Sequence, residues 1–214
     1  MEVVLDNLGR YGSGVATTVS LTLAGWAGAL VLGVVVAAFR VGPVAPLRAA
    51  GAVYVQLVRN CPLAVLFVFF YFGLPDAGLT LPTFPTAVVV LSLYTGTYVA
   101  ETVRAGISAV SAGQAEAARA LGLGFTQVLG LVVVPQALRT VVAPLGSLFI
   151  ALIRNTSIAF TIGVVELTGT MFQVGNRTAD YTTAFLTAAT AYFLLTLPSG
   201  VAVDALERRV AVKR

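Results

Sequence analysis

YGSGVATTVSLTLAGWAGALVLGVVVAAF, residues 11–39, runs for 29 residues without one charged side chain. A helix needs about 20 apolar residues to cross the hydrocarbon of a bilayer. A surface helix of a soluble domain would carry a polar stripe over that distance. The stretch is therefore read as a tilted transmembrane helix. Its flanks differ: Glu2, Asp6 and Arg10 precede it, and Arg40 and Arg48 follow. A cleaved leader fits poorly, because leaders have a shorter apolar core and a basic front.

The rest of the chain agrees with lipid as the solvent. Of 214 residues, 58% are apolar and 10% charged, and the mean hydropathy is +0.93. Ordinary soluble domains carry roughly 25% charged residues. The absence of histidine and the single cysteine, Cys61, exclude histidine-ligated metal, histidine acid–base chemistry and an internal disulfide. The one lysine, Lys213, cannot complete a phosphate-binding G-x-x-x-x-G-K-[ST] loop, so no nucleotide site of that kind is written here. The net charge of +4 comes from single arginines between apolar runs and a basic tail, which does not argue for nucleic acid.

Further apolar segments lie at about 54–73, 86–108, 128–153 and 181–203, the fourth interrupted by Pro135, Arg139 and Pro144. With 12–39 they make five expected spans, so the termini fall on opposite sides. Arg40, Arg48, Arg104, Arg119, Arg208, Arg209, Lys213 and Arg214 would share one side, facing Glu2, Asp6, Asp76, Glu166 and Asp180 on the other with only Arg10 and Arg177 basic there. Basic loops stay in the cytoplasm. The expected topology has the N-terminus outside and the C-terminus inside a bacterial plasma membrane. A four-span alternative with 128–153 re-entrant would break that charge bias.

Between the third and fourth spans lies Ser111-Ala-Gly-Gln114-Ala-Glu116-Ala117-Ala118-Arg119-Ala-Leu-Gly122-Leu-Gly124-Phe125. Ser111 with Gln114 reads as a capping box that starts a helix. Gly122 or Gly124 ends it in a left-handed turn. The spacing predicts a short helix over about 112–123. It is too polar to span, with Glu116 and Arg119 one turn apart on one face.

Glu116-Ala117-Ala118, three residues, Gly122, nine residues, then Val132-x-Val134-Pro135 resembles the EAA motif of ABC-transporter permeases, EAA-x3-G-x9-I-x-L-P. Val132 and Val134 stand where the pattern has Ile and Leu. Three further stretches are similar to the polar amino-acid uptake branch: Arg59-Asn60-Cys61-Pro62-Leu63, Tyr94 to Ile107, and Arg154-Asn155-Thr156-Ser157-Ile158. The chain looks most like actinobacterial glutamate permeases. The resemblance implies an all-α integral membrane protein of five transmembrane helices, a type I importer permease, with no catalysis of its own. It implies that Glu116, Ala117, Ala118, Arg119, Gly122 and Pro135 belong to the unit docking on an ABC ATPase dimer. ATP and magnesium would be bound by that partner and no cofactor by this chain. A second permease, identical or homologous, and an extracytoplasmic amino-acid-binding protein would complete the importer.

Arginines at membrane depth are costly and tend to face a pathway. Arg59 and Arg154 stand in similar contexts near helix ends; Arg59 is read chiefly as snorkelling to headgroups, and Arg154, with Asn155, Thr156 and Ser157, as the expected substrate site or its gate. The chain breaks near Arg154, and unwound backbone at membrane depth must line a cavity or be buried. Arg154, Asn155, Thr156, Ser157, Arg59 and Asn60 are therefore the candidates for a polar substrate pathway. Glu166 fits either an external contact or a cap for the segment after Gly163. Gly25, Gly28 and Gly33 read as a close helix contact. An ion-coupled secondary transporter is the rival reading, but it needs carboxylates at mid-span, and no acid falls there. A membrane-embedded enzyme would need clustered His, Cys or Asp near one face, which the chain lacks.

Overall fold

The computed structural model describes residues 2–210; Lys213 and Arg214 of the basic tail lie outside the described residues. The regular elements described are all helical. After a short α1 (Glu2–Leu5), α2 (Leu8–Val41) forms the first long helix. It is followed by α3 (Ala45–Asn60), α4 (Leu63–Val68), α5 (Thr83–Ser108), α6 (Ala112–Ala120) and α7 (Phe125–Gln127). The chain ends in α8 (Val134–Asn155), α9 (Leu167–Thr178) and α10 (Tyr181–Val210). Four helical stretches are long and apolar enough to cross a membrane: α2, α5, residues 125–162 containing α8, and α10.

The pairing of α2 and α5 sets the frame. A Cβ placed on Gly25 would lie 3.2 Å from Leu91 Cβ, one on Gly28 2.8 Å from Ser92 Cβ, and one on Gly33 2.5 Å from Val99 Cβ. The contacts advance together along both chains, so the two helices run parallel at a separation only glycine permits. Their far ends are tied by Glu101, which accepts from Arg40 through one carboxylate oxygen and from Arg104 through the other, at 2.9 and 3.1 Å.

Parallel α2 and α5 require residues 42–82 to carry the chain back from one end of the bundle to the other. The expected 54–73 span is corrected here: this return is not one helix. α3 and the helical stretch Leu63–Gly73 meet at Cys61-Pro62 with a bend of 103°, and together they are apolar enough for one broken span or a re-entrant loop. Pro62 supplies no amide hydrogen and disfavours helix at the residue before it. Beyond the bend, Leu63 and Phe67 pack with Leu21, Leu91 and Leu152 in the main core.

Pro135 and Pro144, which interrupt the apolar run of the fourth segment, do not stop the helix, since the chain remains helical from Phe125 to Ile162. It accommodates Pro135 by opening Val128–Val133 into a π turn immediately before α8, and Pro144 lies inside α8. Widening is a common way to relieve a proline clash with the preceding turn. α8 runs antiparallel to α5, with Gly106 against Val141 and Ala137, and antiparallel to α10, with Gly146 against Val203. The ends of α2, α5 and α10 that carry Arg40, Arg104, Arg208 and Arg209 therefore share one end of the bundle with the start of α8.

At the opposite end a 3-10 turn (Thr156–Ile162) closes at Gly163, whose φ of 89° is left-handed, and α9 follows. Glu166 is fully buried at the N-cap of α9 and accepts from the amides of Thr168 and Gly169, each at 2.9 Å, and from the Tyr192 hydroxyl. Of its two sequence readings, the cap is the one observed. Asp180 accepts from the Thr183 amide at 3.0 Å where α10 begins; the Thr183 hydroxyl and amide hold its carboxyl below the usual carboxylate range.

Candidate coupling helix and substrate pathway

α6 begins after Ser111, whose backbone is extended (φ −63°, ψ 137°), as the sequence leads one to expect. The capping box is not formed: the Ser111 side chain makes no cap hydrogen bond. The Gln114 side chain is engaged elsewhere. Its carbonyl oxygen accepts from Gln136 Nε2, and the same nitrogen donates to Val132 O at 2.9 Å. One amide group thus joins α6, the π turn and the first turns of α8. The helix ends at Ala120, where Gly122 takes a φ of 86° and its amide donates to Arg119 O at 2.9 Å. The Leu123 amide donates to Ala118 O, which completes the reversal.

Ala118 is buried and anchors the helix, whereas Glu116, Ala117 and Arg119 are exposed, as is Pro135 at the start of α8. Among the described residues neither Glu116 nor Arg119 joins a salt bridge. Leu121 and Phe125 stand beside this face, 84% and 70% exposed. A charged pair, small alanines and two protruding apolar side chains on a short helix make a docking surface with both attraction and shape. Sequence reasoning passed over Phe125; the available signal was a large apolar residue just past a left-handed glycine and outside any span.

The pathway residues divide. Asn155 lines a cavity of about 210 Å³ with Tyr94, Thr95, Tyr98, Leu148 and Ala151, between α5 and α8. The hydroxyls of Tyr94 and Tyr98 lie 3.0 Å apart. Arg59, in the last turn of α3, places its guanidinium 5.0 Å from the centre of the Tyr98 ring. Arg59 and Asn155, 96 residues apart in sequence, are thus gathered around Tyr98. Arg154 faces the other way, into a groove toward α10 with Phe193, Thr196 and Asp204. Asn60 is exposed at the end of α3, Thr156 is buried with its hydroxyl donating to Ile153 O, and Ser157 is half-buried. The two tyrosines were missed as site residues; their spacing of four, which puts both on one helix face, was the signal.

Residues 29–212 match the family described as binding-protein-dependent transport system inner membrane component. The chain belongs to this family. The permease is 38% identical over 213 residues to the probable glutamine ABC transporter permease protein GlnM of Bacillus subtilis (strain 168), covering 98% of this chain and 97% of that one. It is 40% identical over 210 residues to the glutamate transport system permease protein GluC of Corynebacterium efficiens, covering 92% of each. Among solved structures, the crystal structure of an amino acid ABC transporter with histidines superimposes with a TM-score of 0.91 at 30% identity, over 96% of each chain. The inward-facing MetNI methionine ABC transporter shares the fold, with a TM-score of 0.78 at 24% identity. This permease is accordingly a multi-pass inner-membrane component of binding-protein-dependent transport, and the expected family and fold class stand.

Proposed function

We propose that this permease imports glutamate or a closely related polar amino acid as one half of a transmembrane pair. An external binding protein delivers the substrate, and two ABC ATPases supply the work. The N-terminus lies outside and the basic end of the bundle faces the cytoplasm. The chain makes and breaks no bond; ATP and magnesium are bound by the ATPases. GlnM and GluC, by their names, favour a glutamine or glutamate substrate.

The observation that carries this reading is the exposed face of α6. Glu116, Ala117 and Arg119 point away from their own chain, while Ala118 and the Gln114–Gln136 bond hold the helix to α8. A surface so presented, and so firmly attached behind, suits a part that receives motion from a partner and passes it to a span. The substrate passes beside Asn155, Tyr94 and Tyr98, with Arg59 offering a cation to a carboxylate. The experiment is Glu116→Lys in the assembled importer. ATP hydrolysis is expected to persist while binding-protein-dependent uptake falls at least tenfold; full coupled uptake would refute the docking role of this face.

A further inference from the structure

We propose that a cleft between α2, α8 and α10 is a binding site for an anionic phospholipid: one acyl chain fills the cleft, and Arg139 and Arg209 hold the headgroup. The proposal rests on the membrane placement of the family and not on the choice of substrate or on the ATPase contact.

The cleft has a volume of about 430 Å³ and is walled by Trp26, Val142, Phe149, Ala202, Val203 and Leu206 among others. It lies beside the point where Gly146 lets α10 approach: a Cβ there would come within 2.2 Å of Val203 Cγ1. The Ser199 hydroxyl on its wall already donates to Leu195 O at 2.8 Å. Trp26 and Phe149 meet edge to face, with ring centres 5.4 Å apart, at the deep end. A predominantly apolar cleft of this volume suits a hydrocarbon chain.

The mouth carries the charge. α8 and α10 are antiparallel, with Gly146 beside Val203, so residues before Val142 on α8 and after Leu206 on α10 emerge at the same end. Arg139 precedes Val142 by three residues and Gly146 by seven, which keeps it on the line of α8 that meets α10. Arg209 follows Leu206 by three, one turn further along the wall. Both arginines are exposed, and among the described residues neither forms a salt bridge. Of the nearby acids, Asp204 borders the separate groove of Arg154, and Glu207, beside Leu206, pairs with neither arginine. Two guanidinium groups above an apolar cleft match a phosphodiester over an acyl chain. A zwitterionic lipid brings its own ammonium to the same phosphate, so an acidic headgroup is preferred.

Trp26 is the only tryptophan in the chain and sits in the cleft, so it reports directly on what fills it. The assembled importer is placed in nanodiscs containing a minor fraction of brominated-chain phosphatidylglycerol or brominated-chain phosphatidylcholine. The emission of Trp26 is taken as the difference between the wild type and Trp26→Phe. Phosphatidylglycerol is expected to quench at least twofold more than phosphatidylcholine at equal mole fraction, and the double variant Arg139→Gln, Arg209→Gln should bring the ratio to one. Ala202→Phe, which fills the cleft and leaves the arginines in place, should abolish quenching by both lipids. Equal quenching in the wild type, or a preference that survives the double variant, would overturn the headgroup assignment. Absence of quenching by either lipid would mean that the second permease or another partner covers the cleft, and would overturn the site. If Ala202→Phe does not assemble, the exposed arginine pair still decides the matter.

Discussion

Gly28 is one of the tight positions of the α2–α5 contact: a Cβ would come within 2.3 Å of Ser92 Oγ and 2.8 Å of Ser92 Cβ. Overpacking of this kind costs about 1–3 kcal/mol. Gly28→Val should therefore lower the thermal denaturation midpoint in detergent, whereas Gly9→Val, which meets nothing within 4 Å, should leave it nearly unchanged. The two arginines singled out from the sequence are expected to differ in function as well. Arg59 lies over the Tyr98 ring of the cavity that Asn155 lines, and Arg154 borders the α10 groove. Arg59→Gln should raise the apparent KM for uptake at least tenfold, and Arg154→Gln should change it less than threefold; equal effects would put both on the path. Their division was invisible in the sequence because Arg154 and Asn155 are neighbours in the chain, and adjacent helical residues point about 100° apart.

At the scale of elements, the long apolar helices were readable because lipid demands unbroken runs of apolar residues. α6 was readable from its glycine and its charges. What escaped was how local signals compete. Ser111 and Gln114 have the spacing of a cap, but Gln136 offered Gln114 a better partner one element away. Pro135 was read as an interruption, yet a helix can widen by one residue in place of stopping. At Pro62 the chain instead turns by 103°: Cys61 before it is extended and α4 starts just after it. The Gln114–Gln136 bond belongs to this scale. Gln136→Leu should leave ATP hydrolysis intact and cut uptake per ATP several-fold, measured in reconstituted vesicles; unchanged coupling would show that Ala118 alone holds α6.

For the whole molecule, α2 and α10 run in the same direction, so the chain enters the bundle at one end and leaves it at the other; the proposed orientation puts the arginine-rich end in the cytoplasm. The family and fold were legible because the EAA motif and the apolar runs are long. The pairing of helices was less so, since glycines announce a close contact without naming the partner. Direction is measurable from outside the cell. In a Cys61→Ser background, Gly113→Cys should react in intact cells only with membrane-permeant thiol reagents, and Arg177→Cys should also react with impermeant ones. The opposite pattern would invert the assignment.

The π turn at Val128–Val133 carries one residue more than an α-helix needs. Deleting Gly130 would restore α-helical spacing and bring the Pro135 ring against the turn before it, yet the Glu116 face would stay in phase with α8, because a widened turn absorbs its additional residue. Deleting Leu138 from the regular part of α8 would instead turn everything ahead of it by about 100°. The angular setting between engine and pore thus tolerates a lost peptide unit at the widened turn and not along the regular span.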